Sequence, residues 1–159
     1  MPLSTLVRIK LFKLDKAERD TRQQLAQLRS IETVYQQSIE SLQRYRDWRL
    51  GEEATLLACH QGQVLERKTL AQWQRQVAAM RAAEACLVET LDEQTRLLDE
   101  QLARLRRSQQ QLASARQQAE KFNQLQQQAF AEQRSLLEHK EALELEAFTR
   151  QGIQTFENP

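Results

Sequence analysis

The sequence predicts an all-α fold, a long antiparallel two-helix coiled-coil hairpin. The first observation is composition, because only three Gly and two Pro occur in 159 residues, too few for a turn-rich domain. The second is an apolar row with a period of seven, made of Val77, Leu91, Leu98, Leu105 and Leu112. A row offset by three or four residues contains Trp73, Met80 and Leu87. Two such rows form the seam of a coiled coil.

The first half of the chain has a weaker seam of the same period. Its main row consists of Leu14, Thr21, Leu28, Tyr35 and Leu42. Leu25 and Ile39 are assigned to its second row, with Ile31 and Tyr45 beside the seam. Glu18, Glu32 and Arg46 interrupt that row. Pro2 and Ser4 are suited to the start of a helix. We therefore expect a first helix over about residues 3–59.

Two glycines, Gly51 and Gly62, are the only breaks inside the chain. The segment after Gly51 is rich in helix formers, so we expect the turn at about residues 60–68, with Gly62 at the end of the first helix. Thr69 would cap the second helix, with Gln72 completing a capping box. A reversal at Gly51, or a hinge there within a continuing helix, is the alternative.

The second helix is expected over about residues 69–150, followed by a disordered tail over 152–159. If the chain reverses near residue 64, the start of the first helix lies opposite residue 125. Later residues of the second helix then have no partner in the first. Beyond that point Phe130, Leu137 and Leu145 retain helical spacing. Apolar side chains left without a partner helix usually mark a binding surface or a fraying end.

The start of the chain is basic and unusually apolar. Arg8, Lys10, Lys13 and Lys16 supply the charge, and Leu6 belongs to the apolar set. Such a surface predicts contact with a partner. The alternative is that these cations pair with the carboxylates between Glu132 and Glu146 in the same hairpin.

Other classes of function lack a signal. The net charge is +1, so no global field favours nucleic acid or an anionic membrane, and no segment is apolar enough to enter a bilayer. Cys59 and Cys86 have no metal-ligand spacing. We expect no metal, no cofactor and no enzymatic activity, since no catalytic or phosphate-binding motif is present. Without a visible secretory signal, the chain is expected to be cytoplasmic.

Several stretches of the sequence carry a resemblance to a known family: Tyr45-Arg46-Asp47-Trp48, Glu52-Glu53, Gln61-Gly62, Leu70, Trp73, Gln76-Val77, Arg81 and Glu84. Glu120-Lys121-Phe122 and residues 141–148 also contribute. In these residues the chain resembles the YscO family of type III secretion injectisomes, whose flagellar counterpart is FliJ. The similarity spans most of the chain.

The resemblance implies a stalk in the pore of the hexameric secretion ATPase, touching the cytoplasmic ring of the export gate and in some members binding secretion chaperones. The chain would then lie at the base of the secretion apparatus and be a monomer in isolation. The ATPase would meet Leu6, Arg8, Lys10, Lys13, Lys16, Phe130, Leu137 and Leu145. The alternatives are a coiled-coil scaffold that dimerises through residues 126–150, or a secretion chaperone.

Overall fold

A computed structural model describes residues 2–62 and 66–157, with the side chains of 154–157 outside the description. Its elements are α1, Leu3–His60, and α2, Arg67–Glu157, and the described residues contain no strand. The two helices pack antiparallel, because a residue early in α1 (Thr21) meets Ser108 while a later one (Tyr45) meets Met80. The predicted all-α two-helix hairpin is confirmed.

The chain reverses after His60 and not at Gly51. Gly51 lies inside α1, and no atom would obstruct a Cβ there. Gly62 has a φ of 83°, a left-handed conformation that glycine adopts without steric cost just past the end of a helix. Part of the predicted turn, residues 63–65, lies outside the described residues.

Both ends of α2 differ from the sequence prediction. The carbonyl of Glu66 accepts the Leu70 N–H at 3.0 Å, so the helix begins before Thr69 and the predicted capping box is wrong. Arg67 and Lys68 are good helix formers and extend the helix backwards. The predicted disordered tail is wrong for residues 152–157, which continue α2. A single Gly152 costs only about 1 kcal/mol in a helix. Asn158 and Pro159 lie outside the described residues.

The helices pack in two units, and the larger comprises residues 20–109. Its apolar core is formed by Leu28, Leu42, Met80 and Leu105, each no more than 8% exposed. Fully burying such a side chain contributes about 1.5–3 kcal/mol. The Tyr45 hydroxyl donates to the Met80 carbonyl at 3.2 Å. This unit therefore has a narrow, continuous seam, as a two-helix coiled coil requires.

The second row of α1 differs from the prediction at Leu25. Leu25 is 37% exposed, whereas Gln24 and Tyr45 are half-buried and contact α2. Ile31, which the sequence placed beside the seam, and the predicted Ile39 are also half-buried. Because Gln24 is polar, the apolar pattern favoured its neighbour Leu25. The true row runs through Gln24, Ile31, Ser38 and Tyr45.

The second unit combines the residues up to Arg19 with those from Gln110 onward. Val7 and Ala119 are its buried apolar side chains, at 7% and 5% exposure. Lys10 Nζ lies 5.1 Å from the centroid of the Phe122 ring, close enough for a cation–π contact. This pairing shows that the start of α1 packs on α2 near residue 122.

Candidate partner-binding site

The α2 extension, residues 127–153, presents every described side chain to solvent. Phe130 and Leu137 are each 56% exposed, and Leu145 is 66% exposed. Leu136, Leu143 and Phe148 add further exposed apolar surface. The extension follows directly from a segment in which Phe122 and Gln126 are still half-buried. Leu136 and Leu143 repeat the seven-residue row of Ser108 and Phe122 beyond the residues that α1 covers, whereas Phe130 and Leu137 each lie one residue after that row.

The basic start of α1 belongs to the same unit as this extension. Arg8, Lys13 and Lys16 are exposed, whereas Leu6 is half-buried and Lys10 lies over Phe122. Leu11 and Phe12 are 52% and 64% exposed. This part of α1 combines cationic and apolar side chains on the surface, which suits a protein partner.

The described residues contain no ion pair between the basic start of α1 and the carboxylates of Glu132–Glu146. The register explains this absence, because Lys10 meets Phe122 and a residue ten positions further along α2 lies about 15 Å away. Internal charge pairing across the hairpin is thus the weaker of the two interpretations of the basic residues.

The seam positions identified from the sequence fall into two groups. Leu28, Leu42, Met80 and Leu105 are buried. The remaining positions are half-buried: Tyr35, Trp73, Val77, Leu87, Leu91, Leu98 and Leu112. A two-helix coiled coil covers each seam residue from one side only, so partial exposure is expected at most of these positions.

Sequence reasoning missed the two buried polar residues of α2. Gln101 is 2% exposed and Ser108 is 7% exposed. They face Gln24 and Thr21 of α1. Gln101 and Ser108 continue the seven-residue row that begins with Leu87 and Gln94. The heptad phase alone could therefore have placed them in the seam.

A second apolar surface that the sequence did not single out lies in the unit of residues 20–109. Leu50 and Leu57 are each 57% exposed and flank Trp73 in an open groove of about 340 Å³. Their spacing of seven residues on α1 was the available signal. The groove also contains Val77 and Arg81, so it is apolar with a charged margin.

A cluster of ion pairs joins the helices near this groove. Glu84 accepts a hydrogen bond from Arg46 Nε at 2.7 Å, and Arg49 Nε lies 2.6 Å from its other oxygen. Arg49 also donates to Glu53 at 3.0 Å. The hydrogen bond from Arg46, and then the charge of Arg49, hold the pKa of Glu84 below its ordinary value. Glu53 raises the pKa of Arg49 in the same way.

This cluster predicts a loss of stability in acid. Because the pKa of Glu84 is lower in the folded chain, its contribution is complete above the ordinary pKa of about 4.5 and is lost as the pH falls through the folded value. We expect the Tm of the wild type to fall between pH 5 and pH 3, and the fall to be smaller in Glu84→Gln. Thermal melts by circular dichroism measure both.

The matched control is Glu89→Gln, which removes an exposed carboxylate five residues away. Its Tm should decline with acid as in the wild type. Equal acid sensitivity of Glu84→Gln and the wild type would show that the cluster does not couple protonation to folding.

The described residues show neither a metal centre nor a membrane span. No three His, Cys, Asp or Glu side chains among them are grouped to hold a metal ion. Neither helix, as far as it is described, contains a stretch long and apolar enough to cross a bilayer.

Comparison with known proteins identifies the family. The family described as type III secretion protein YscO matches residues 3–151. The chain belongs to the YscO family. The crystal structure of the type III secretion protein YscO from Vibrio parahaemolyticus superposes with a TM-score of 0.82 at 30% identity, over 92% of each chain. The antiparallel helix pair is thus shared with that YscO protein.

A curated YscO relative agrees over part of its length. The Yop proteins translocation protein O of Yersinia pseudotuberculosis serotype I (strain IP32953) is 34% identical over 80 residues, which is 50% of this chain and 52% of the relative. The match thus spans about half the length of this relative. Membership of the YscO family makes the chain a type III secretion protein, as the resemblance implied.

Proposed function

We propose that this YscO protein is a non-enzymatic stalk of a type III secretion injectisome. It inserts into the hexameric secretion ATPase, stimulates it and links it to the cytoplasmic ring of the export gate, at the cytoplasmic base of the apparatus. The observation that carries this proposal is the α2 extension, whose apolar side chains are exposed and have no covering helix among the described residues. Such a surface becomes buried only when a partner supplies the missing packing.

The basic start of α1 and the α2 extension have different roles in this proposal. Exposed cations such as Arg8 and Lys13 accelerate encounter with an acidic pore mouth and make it dependent on salt. Phe130 and Leu137 then hold the complex, because buried aromatic and aliphatic anchors account for most of the affinity at interfaces.

We expect the double variant Phe130→Asp with Leu137→Asp to lose stimulation of the secretion ATPase. Both side chains are 56% exposed, so the free hairpin should change in stability by no more than about 0.5 kcal/mol for each change, as ordinary surface substitutions do. The measurement is the rate of ATP hydrolysis by the purified ATPase with increasing amounts of the hairpin.

The matched control is Gln128→Asp with Ser135→Asp, which has the same spacing and the same added charge. Each residue lies two positions earlier and therefore on nearly the opposite side of the helix. The control should stimulate as the wild type does. Equal stimulation by both double variants would show that the α2 extension does not contact the ATPase.

The exposed α2 extension also supports a second candidate function, a scaffold that dimerises through residues 126–150. Light scattering separates the two, because the stalk should have the mass of one chain, about 18.6 kDa, at micromolar concentration. A dimer that Phe130→Asp with Leu137→Asp converts to a monomer would favour the scaffold.

A further inference from the structure

Two neighbouring polar contacts occupy the seam of the unit formed by residues 20–109. Gln101 is 2% exposed, and its Nε2 donates to the Gln24 carbonyl at 3.0 Å and to the Gln24 side-chain oxygen at 2.8 Å. Ser108 is seven residues further along α2. Its hydroxyl lies 2.9 Å from the Thr21 hydroxyl, which also donates to the Ser108 carbonyl at 3.3 Å. We name these contacts the polar layers.

The polar layers lower the stability of the seam compared with apolar residues. A buried amide that makes hydrogen bonds contributes less to the net stability than a buried leucine does, because its bonds replace bonds to water. A buried amide that loses its partner is unfavourable, because its lost hydration is no longer compensated. Polar groups in a coiled-coil seam therefore matter less for stability than for choosing one register.

The leucine rows alone do not choose a register. Leu91, Leu98 and Leu105 repeat every seven residues, so a slip of one heptad would again set apolar side chains against apolar side chains. The same slip would place Ala17 or Ile31 where Gln24 now meets Gln101. Neither replacement offers a side-chain acceptor, so the buried Gln101 amide would lose its bond to the Gln24 side chain.

The contact between Thr21 and Ser108 independently disfavours the same slip. A shift of one heptad brings Leu14 or Leu28 to the place that Thr21 occupies beside Ser108. A leucine side chain can neither accept nor donate a hydrogen bond, so the Ser108 hydroxyl would lose its Thr21 partner in the seam. Both contacts are satisfied together only in the observed alignment.

We propose that the polar layers are a register lock, which selects the observed alignment of α1 and α2 from those one heptad away. The consequence for the partner rests on the proposed stalk function. Each heptad of slip would lengthen or shorten the α2 extension by seven residues, about 10 Å. The lock thereby sets how far the apolar residues of the α2 extension project beyond α1.

The test measures the register directly and does not involve the ATPase. Spin labels are placed at Ser41 and Arg107, both exposed, after replacing the exposed Cys59 and Cys86 with Ser. Electron–electron double resonance should give one narrow distance in the otherwise unaltered chain. In the double variant Gln24→Leu with Gln101→Leu we expect additional distances between the labels. These should differ from the original distance by up to about 10 Å, because a slip of one heptad moves one label by that length along the helix.

The matched control is Gln94→Leu, which adds a leucine in the same row seven residues before Gln101. It should retain the single narrow distance. If Gln24→Leu with Gln101→Leu does not fold, the same distance is measured in Thr21→Val with Ser108→Ala, which changes the side-chain volume less. A single unchanged distance in the folded variants would overturn the register lock, whatever happens to the Tm, and would leave the proposed stalk function unaffected.

Discussion

Replacing Leu105 with Asp is expected to destabilise the hairpin by about 4 kcal/mol and to lower its Tm by roughly 8–16 °C. Leu105 is 8% exposed and belongs to the buried set of the unit formed by residues 20–109. The substitution removes a buried aliphatic group and places a carboxylate in the seam. Domains have only about 5–15 kcal/mol of net stability, so cooperative melting should be weakened or lost. Thermal and urea melts by circular dichroism measure the change.

Gln109→Asp is the control for this experiment, because it introduces the same carboxylate one turn away at an exposed position. It should change the free energy of unfolding by about 0.5 kcal/mol or less. If Leu105→Asp also stayed within that range, Leu105 would not be packed in the seam.

Reversing Arg8, Lys13 and Lys16 to Glu is expected to slow association with the secretion ATPase roughly ten-fold or more at low salt. These side chains are exposed, so their charge acts through space on an approaching partner. The difference from the wild type should shrink as salt is raised, because exposed charges are screened. The measurements are stopped-flow association and stimulation of ATP hydrolysis over a range of salt concentrations, with the helical melt unchanged.

The control reverses Arg104, Arg106 and Arg107 to Glu, which changes the net charge by the same amount, from +1 to −5. These exposed arginines lie in the other unit. Reversing them should slow association less, because electrostatic steering of the partner depends mainly on the charges near the contact. Equal slowing by both triple variants would attribute the effect to net charge and not to the start of α1.

The helices themselves could be predicted from local pattern. The seven-residue spacing of Leu91, Leu98 and Leu105 and the near absence of Gly and Pro are local properties, and helix formation depends largely on such properties. The position of the reversal was also accessible, because Gly62 is suited to a left-handed conformation. The first residue of α2 could not be predicted in the same way. A cap contributes only about 1 kcal/mol, and neighbouring helix formers override it.

The candidate site was only partly accessible from the sequence. Phe130 and Leu137 could be identified because the arms are unequal and the apolar spacing continues past the shorter one. Leu50 and Leu57 were overlooked although they lie seven residues apart, because a single pair outside the seam rows does not distinguish an exposed surface from a packed one. The placement of Lys10 over Phe122 required the register of the two helices.

The sequence by itself determined the helical class, the approximate turn and the main apolar row of each helix. The tertiary structure decided the place of Gln24 in the second row of α1, the burial of Gln101 and Ser108, and the contact between Lys10 and Phe122. The physical reason is that periodicity identifies a helix and a face, whereas hydrogen bonds such as that from Gln101 to Gln24 exist only once a partner helix is set in one register.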